Sequence, residues 1–338
     1  MKKIPLIVIL GPTACGKSSL GSELAKKYNG EIVSMDSRQV YRGLDIGSGK
    51  VTKKEQRVVP HHLLDISDPP KRMTARVRHG GYFTLADFKK KADAAIADIW
   101  KRGKIPFLVG GTALYIQAVV DNYAIPEGAI DISLRKRLEG EDIKKLLKAL
   151  EKVDPISYGK IDHANKRRIV RALEVYCVTG KPFSFFQQKG ESPYEPFLIG
   201  IDMPREKLYD RIDMRVDSRV RQGMIREVER LIQNGVPTDW LKSLGLEYRG
   251  ISEYLKKVNV IPAKVPDLST STRVGINRNV RGAGIQFKKE MLQKLKYAIH
   301  HFARRQMVWF RKEKRIQWVS SSHKADQLVR KFLKNLQT

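Results

Sequence analysis

Eight consecutive residues near the amino terminus have the types and the spacing of a phosphate-binding loop. Residues 11–18 read GPTACGKS, which fits the pattern G-x-x-x-x-G-K-[ST] between an apolar segment and a helical one. The two glycines permit a tight turn whose backbone N–H groups point at an anion, and the following helix adds its positive end. Lys17 supplies a full charge, and the Ser18 hydroxyl is the expected Mg²⁺ ligand. We therefore predict that a diphosphate or triphosphate binds to Gly11, Pro12, Thr13, Ala14, Cys15, Gly16, Lys17 and Ser18.

Two more polar residues follow apolar segments that are predicted to be buried strands. Asp36 comes directly after residues 31–35, and Thr112 comes after residues 105–109 and two glycines. Open α/β sheets bind their ligands at the carboxyl ends of the strands, so both side chains are expected beside the phosphate loop. Asp36 is then either a general base or a water-mediated Mg²⁺ ligand. Thr112 either holds a ligand or only caps a helix.

The elements that would position these residues alternate between strands and helices over residues 1–120. Residues 6–10 form an apolar, partly β-branched run typical of a buried parallel strand, and residues 17–28 have helical spacing. This alternation predicts an α/β fold with a parallel sheet and helices on both faces. Strand signals vanish over residues 121–195 and return at residues 196–201, which indicates a helical insertion.

The chain is accordingly divided into four predicted segments. Residues 1–120 are the first part of the catalytic core, 121–195 the helical insertion domain, 196–320 the second part of the core, and 321–338 a carboxyl-terminal tail. The second part includes a long helix over residues 287–314 and a basic insertion at residues 258–284. The composition of that insertion suits a flexible loop.

The charge balance is strongly basic, with a formal net charge of +29 from 65 basic and 36 acidic residues in a chain of 338. Self-repulsion of that size is unfavourable unless a polyanion is a regular partner, and nucleic acid is the leading candidate. The two cysteines, one of them inside the phosphate loop, favour a reducing compartment such as the cytoplasm. No apolar run approaches the ~18 residues of a membrane span, so no membrane partner is expected.

Several tracts together resemble the tRNA dimethylallyltransferases, the bacterial-type tRNA isopentenyltransferases. The matching tracts follow the family's order and are GPTACGKS at 11–18, DSRQVYRGLDIGSGK at 36–50, PHHLLD at 60–65, LVGGTALY at 108–115, NKRRIVRALEVYCVTGKPFS at 165–184 and ARRQMVWFR at 303–311. The first tract is generic, whereas D-S-x-Q-x-Y-x-G and A-R-R-Q-x-x-W-F-R are specific. The resemblance implies Mg²⁺-dependent transfer of a dimethylallyl group from dimethylallyl pyrophosphate to the exocyclic amine of the adenosine 3′ of the anticodon in tRNA. That adenosine would be flipped out of its stack.

The same resemblance assigns roles to individual residues. Asp36 would be the general base and Thr112 a second catalytic residue, while the phosphate loop would hold the pyrophosphate leaving group without ATP hydrolysis. The tRNA-contacting residues would be Asp36, Ser37, Arg38, Gln39, Thr112, Arg135, Arg167, Arg168, Ile169, Val170, Arg171, Tyr248 and Arg249. One departure is Glu247, which stands where the family usually has a glycine before its tyrosine and basic residue. The protein is expected to act as a monomer.

Three other functions stay open at this point. A P-loop small-molecule kinase would share the fold and the Ser18 chemistry, but it would not explain the basic charge or the arginine-rich helix near the carboxyl terminus. An adenine-nucleotide isopentenyltransferase would use the same donor on free nucleotides. A non-catalytic RNA-binding protein with a relict loop is disfavoured by the intact Lys17, Ser18, Asp36 and Thr112. Labelled donor offered with tRNA, AMP or ATP distinguishes these functions.

Overall fold

A single sheet of parallel strands organises the chain. The structure, a computed structural model, describes residues 3–71, 82–126, 130–258 and 281–336. Within these residues the strands are β1 Ile4–Leu10, β2 Gly30–Met35, β3 His61–His62, β4 Ile105–Gly110, β5 Tyr194–Ile201 and β6 Gln317–Val319. Their order is β3-β2-β4-β1-β5-β6, and every neighbouring pair is parallel.

Helices connect these strands and cover the sheet. In the described residues they are α1 Lys17–Lys27, α2 Lys53–Val58, α3 Leu85–Lys101, α4 Ala113–Val120, α5 Ile132–Gly140, α6 Ile143–Val153, α7 Pro155–Lys160, α8 Lys166–Thr179, α9 Arg205–Arg221, α10 Met224–Gln233, α11 Thr238–Ser243, α12 Leu246–Lys257, α13 Arg281–Phe310 and α14 Ser322–Asn335. A short 3₁₀ helix occupies Phe183–Gln187. Across the described ranges, no helix combines the length and apolar character needed to cross a membrane.

The sheet has a hydrophobic core on each face, because alternate side chains of a strand point to opposite sides. On β1, Ile7 and Ile9 join one core while Leu6, Val8 and Leu10 join the other, and all five are fully buried. A strand buried on both faces reads as a continuous apolar run, which is why its sequence shows no alternation with polar residues. The predicted α/β fold with a parallel sheet and helices on both faces is confirmed.

Helices α5 to α8 occupy the segment that the sequence predicted to be a helical insertion, and they have a small core of their own. Leu146 and Leu150 of α6 pack there against Ile169 and Leu173 of α8. Asp154 ends α6 and begins α7, where its carboxylate accepts a hydrogen bond from the Ser157 backbone N–H at 3.0 Å. Such a bond satisfies one of the unpaired N–H groups of a helix start.

The carboxyl-terminal region differs from the sequence prediction. The long helix α13 ends at Phe310, and residues 321–338, predicted as a tail, instead contain α14, which follows the additional strand β6. Ala325 and Val329 of α14 are fully buried, and the Phe332 ring stacks on Phe197 of β5 with ring centroids 4.8 Å apart. Of the predicted basic insertion at 258–284, residues 259–280 lie outside the described residues.

The packing of α14 predicts a measurable contribution to stability. We expect Phe332→Ala to lower the free energy of unfolding by about 2 kcal/mol, less than for a fully buried phenylalanine because part of the ring remains exposed. The exposed neighbour Lys331→Ala is the control and should change it by less than ~0.5 kcal/mol. Equal effects of the two substitutions in urea unfolding would show that α14 does not pack as described.

Candidate active site

One cavity of about 810 Å³ lies at the carboxyl ends of the central strands. The strand register places these ends side by side, because Gly110 of β4 pairs with Leu10 of β1 on one side and with Met35 of β2 on the other. The loops that leave the three strands carry the phosphate loop, Asp36 and Thr112. Predicted site residues that line the cavity are Thr13, Lys17, Ser18, Asp36, Ser37, Arg38, Gln39, Thr112 and Arg249.

The phosphate loop has the backbone conformation that its glycines predict. Gly11 has φ +149° and Gly16 has φ +102°, both in the region that favours glycine. A Cβ atom at Gly11 would lie 2.9 Å from the Cys15 sulfur, so a side chain there would displace the loop. The helix α1 begins at Lys17, directly after Gly16, so its positive end points at the loop as predicted.

Cationic side chains crowd the end of the cavity beside this loop. The Lys17 Nζ donates to the Pro12 carbonyl oxygen at 2.6 Å, and the Arg215 guanidinium donates to the Thr13 hydroxyl. Burial lowers the pKa of Lys17, with Arg215 lowering it further. Burial also lowers the pKa of Arg215 to about 10, helped by repulsion from Arg219. A bound anion would relieve this repulsion, so this end of the cavity is built to receive one.

Arg215 and Arg219 were not found by sequence reasoning. They lie one turn apart on α9, and basic residues at that spacing are common on solvated helix faces. Their burial beside the loop results from the return of the chain to the sheet at β5. No local pattern in the sequence distinguishes them from other arginines of the same helix.

The Asp36 carboxylate is held in one orientation at the end of β2. Its Oδ1 accepts hydrogen bonds from the backbone N–H groups of Arg38 at 2.9 Å and Gln39 at 3.4 Å. The side chain is 28% exposed and lines the cavity. An acidic oxygen fixed in this way can accept a proton or approach a cation, so the geometry is compatible with both roles predicted for it.

Thr112 occupies the first position of α4 without acting as its side-chain cap. It is the N-cap residue, yet its hydroxyl makes no capping hydrogen bond and lines the cavity instead. Gly110 lets β4 run close to the end of β2 just before this turn, since a Cβ atom there would lie 2.5 Å from the Met35 carbonyl oxygen. The hydroxyl is therefore available to a ligand, in line with the first of the two roles predicted from the sequence.

Gln39 links β2 to the glycine-rich loop that follows it. Its Oε1 accepts from the Ser34 hydroxyl at 3.1 Å, and its Nε2 donates to the Gly49 carbonyl oxygen at 3.2 Å. The same loop is fixed by Glu227 of α10, whose buried carboxylate accepts from the backbone N–H groups of Asp45, Ile46 and Gly47 at 2.6–3.0 Å. Sequence reasoning did not single out Glu227, because it lies far along the chain from the loop that it holds.

Glu247 is a buried carboxylate that pairs with two arginines. Its carboxylate accepts from Arg38 Nη1 at 2.6 Å and from Arg219 Nη1 at 3.3 Å. Burial alone would raise the pKa of Glu247, but the charges of Arg38 and Arg219 outweigh it and lower that pKa. Glu247, Arg38 and Arg219 therefore form an ion-pair network beside the cavity.

The two residues after Glu247 on α12 differ in exposure. Tyr248 is fully buried and donates from its hydroxyl to Glu227 Oε1 at 3.2 Å, so its side chain does not reach a surface that RNA could contact. Arg249 is exposed at the cavity, where its Nε donates to the Lys242 carbonyl oxygen at 3.0 Å. Of this pair, the structure leaves Arg249 accessible to tRNA.

The predicted tRNA-contacting tract of α8 also has two sides. Arg167 and Arg168 are exposed, whereas Ile169 and Val170 are buried in the small core of the insertion, where their side chains cannot contact RNA in this arrangement. Arg135 and Arg171 both donate to the Glu174 carboxylate, at 2.7 and 2.8 Å. Among the described residues that line the cavity, none belongs to these helices of the insertion.

Comparison with known proteins gives matches along almost the whole chain. The family model described as IPP transferase matches residues 39–313, and the one described as isopentenyl transferase matches residues 4–65. The tRNA dimethylallyltransferase 1 of Trichlorobacter lovleyi is 41% identical over 93% of each chain. The tRNA dimethylallyltransferase of Pelotomaculum thermopropionicum is 38% identical over 96% of this chain and 93% of that protein.

Solved structures give a similar result. The tRNA isopentenylpyrophosphate transferase of Bacillus halodurans matches with a TM-score of 0.64 at 33% identity, covering 99% of this chain and 97% of that one. A eukaryotic dimethylallyltransferase acting on tRNA matches with a TM-score of 0.72, covering 98% of this chain and 80% of that one. Because its identity is 24%, this second likeness supports the fold alone.

The crowded cations predict that the cavity binds inorganic pyrophosphate through Lys17. Ligand at about 100 times its Kd stabilises a protein by about 2.7 kcal/mol, so pyrophosphate should raise the Tm of the wild type by several degrees. Lys17→Ala should abolish most of that rise without changing the ligand-free Tm by a similar amount.

The control is Lys26→Ala, an exposed lysine of the same helix, which should keep the full rise. An equal rise in the Lys17 and Lys26 variants, measured by scanning fluorimetry, would show that Lys17 does not contact the anion.

Proposed function

The chain belongs to the IPP transferase family, and from this membership we propose that it transfers a dimethylallyl group from dimethylallyl pyrophosphate to tRNA. The acceptor that we propose is the exocyclic amine of the adenosine 3′ of the anticodon. The observation that carries the proposal is that one cavity has a cationic end and an apolar wall. Its cationic end contains Lys17 and Arg215, and its wall on α13 contains the apolar Met291, Leu295 and Phe302. A prenyl pyrophosphate has the same division between a charged and an apolar part.

In the proposed reaction the donor is held by its leaving group. The phosphate loop, Lys17 and Arg215 bind the pyrophosphate and stabilise the negative charge that grows as the carbon–oxygen bond of the donor breaks. The electron pair of that bond leaves with the pyrophosphate. The exocyclic nitrogen of adenine supplies the pair for the new carbon–nitrogen bond.

Asp36 accepts the proton that this nitrogen loses. The amine needs a base because its lone pair is delocalised into the adenine ring, and Asp36 lies at the strand end next to the phosphate loop. The hydrogen bonds from the backbone N–H groups of Arg38 and Gln39 orient the carboxylate toward one position. Thr112 holds the amine or the pyrophosphate through its uncommitted hydroxyl.

We also propose Mg²⁺ as the cofactor. The Ser18 hydroxyl lines the cavity, and an oxygen donor of this kind, completed by pyrophosphate oxygens and water, fits the ligand preference of Mg²⁺. The described residues hold no cluster of three or more histidine, cysteine, aspartate or glutamate side chains that would form a metal cage without the substrate. When bound, Mg²⁺ would neutralise charge on the leaving pyrophosphate.

The tRNA is proposed to lie across the basic surface with its reacting adenosine flipped into the cavity. A net charge of +29 favours such a partner, and the exposed Arg167, Arg168 and Arg249 are suited to contact its phosphates. We propose that the protein acts as a monomer in the cytoplasm, where Cys15 and Cys177, both free thiols in the structure, stay reduced.

The proposal is tested by offering labelled dimethylallyl pyrophosphate with total tRNA, AMP or ATP. We expect label in tRNA only, mapped by nuclease digestion to the adenosine 3′ of the anticodon. Label in AMP or ATP would indicate transfer to free nucleotides. No transfer to any acceptor, together with phosphorylation of a small molecule from ATP, would indicate a kinase.

If Asp36 is the general base, its substitution should lower turnover without weakening donor binding. Asp36→Asn keeps the shape of the side chain but removes its basicity, so turnover should fall by roughly 10²–10⁴ while the donor still binds. Asp68→Asn, an exposed aspartate paired with Arg42 on the surface, is the control and should leave turnover unchanged. Joint loss of donor and Mg²⁺ affinity in the Asp36 variant would instead identify Asp36 as a metal ligand.

A further inference from the structure

Gln306 joins two loops of the active site that are far apart in the sequence. It lies on α13 within the tract ARRQMVWFR and is 7% exposed. Its Oε1 accepts from the Thr13 backbone N–H at 2.9 Å, and its Nε2 donates to the Gly111 carbonyl oxygen at 2.8 Å. The first partner is in the phosphate loop and the second directly precedes Thr112. Among the described residues, no other side chain hydrogen-bonds to both loops.

The residues around Gln306 accommodate its amide, which bridges the two loops. A Cβ atom at Gly111 would lie 2.6 Å from Gln306 Nε2, so the glycine makes room for the amide. Ala303 and Phe310 of the same helix are fully buried, which fixes α13 on both sides of Gln306. Because the helix is fixed, the two hydrogen bonds of the amide hold both loops at a defined distance from α13 and from each other.

The bridge requires an amide and not another polar group. One end must accept from an N–H and the other must donate to a carbonyl oxygen, and the neutral amide of Gln carries an acceptor oxygen and a donor nitrogen on the same carbon. A glutamate would keep the acceptor for Thr13, but it would place a carboxylate oxygen against the Gly111 carbonyl oxygen. It would also add a negative charge at the anion-binding end of the cavity.

We propose that Gln306 is a positioning residue that sets the separation between the phosphate loop and the loop that carries Thr112. This inference rests on the proposed function, in which the donor is held by the first loop and Thr112 lies beside the reacting amine or the pyrophosphate. Group transfer is sensitive to that separation, since a misplacement of about 1 Å can lower a rate by 10²-fold. Both polar atoms of the Gln306 side chain are engaged by the protein backbone, so its proposed role is to position the two loops.

The first test is a comparison of turnover with binding in Gln306→Met, which keeps the side-chain length and removes both hydrogen bonds. We expect kcat to fall by about 10²-fold while the Kd of inorganic pyrophosphate changes by less than about threefold. The control is Gln222→Met, an exposed glutamine just after α9 that does not line the cavity and whose amide donates to the Ser218 hydroxyl, and its kcat should equal that of the wild type. An unchanged kcat in Gln306→Met, or equal losses of kcat and pyrophosphate affinity, would overturn the proposal.

The second test does not use the transfer reaction, so its failure is distinct from failure of the proposed function. Pyrophosphate binding to the wild type should slow amide hydrogen exchange in the phosphate loop and, through the bridge, at residues 111–114. In Gln306→Met and in Gln306→Glu the slowing should persist in the phosphate loop and disappear at residues 111–114. Slowing of both segments in the two variants would show that the loops are coupled without Gln306 and would overturn the proposal.

Discussion

The shared register of β1, β2 and β4 is the constraint on which the site depends. Hydrogen bonds between these strands bring Leu10, Met35 and Gly110 into one row, so the loops that follow them start from the same edge of the sheet. One is the phosphate loop at residues 11–18, the next carries Asp36, and the third carries Thr112. A shift of one strand by a residue would reverse its side-chain faces and separate these groups.

Charged side chains from several helices meet around this edge. Lys17, Arg38, Arg215 and Arg219 all line the cavity, and the described carboxylates that interact with them include Asp36 and Glu247. Glu247 pairs with Arg38 and Arg219, whereas Lys17 and Arg215 hydrogen-bond to uncharged oxygens of the phosphate loop. Arg38 and Arg219 are thus neutralised by a carboxylate of the protein, while Lys17 and Arg215 keep charge that an anionic ligand can neutralise.

Sequence reasoning identified the parts of the site that are local in the chain. The phosphate loop is contiguous, Asp36 directly follows an apolar strand, and Thr112 follows another after two glycines, so a motif and a strand rule were sufficient to place them together. Arg215, Glu227 and Gln306 come from helices far along the chain, and their contacts depend on how those helices pack. Tyr248, Ile169 and Val170 were predicted to contact tRNA, but their side chains are buried. The sequence alone does not show which face of α8 or α12 packs against the protein.

The central claim is that the phosphate loop holds a leaving pyrophosphate and not a nucleotide that is hydrolysed. It is tested most directly by phosphorus NMR of a turnover reaction that contains enzyme, Mg²⁺, tRNA and dimethylallyl pyrophosphate, with no nucleoside triphosphate present. We expect one intact pyrophosphate for each dimethylallylated adenosine. A requirement for ATP, or release of orthophosphate in place of pyrophosphate, would contradict this account of the site.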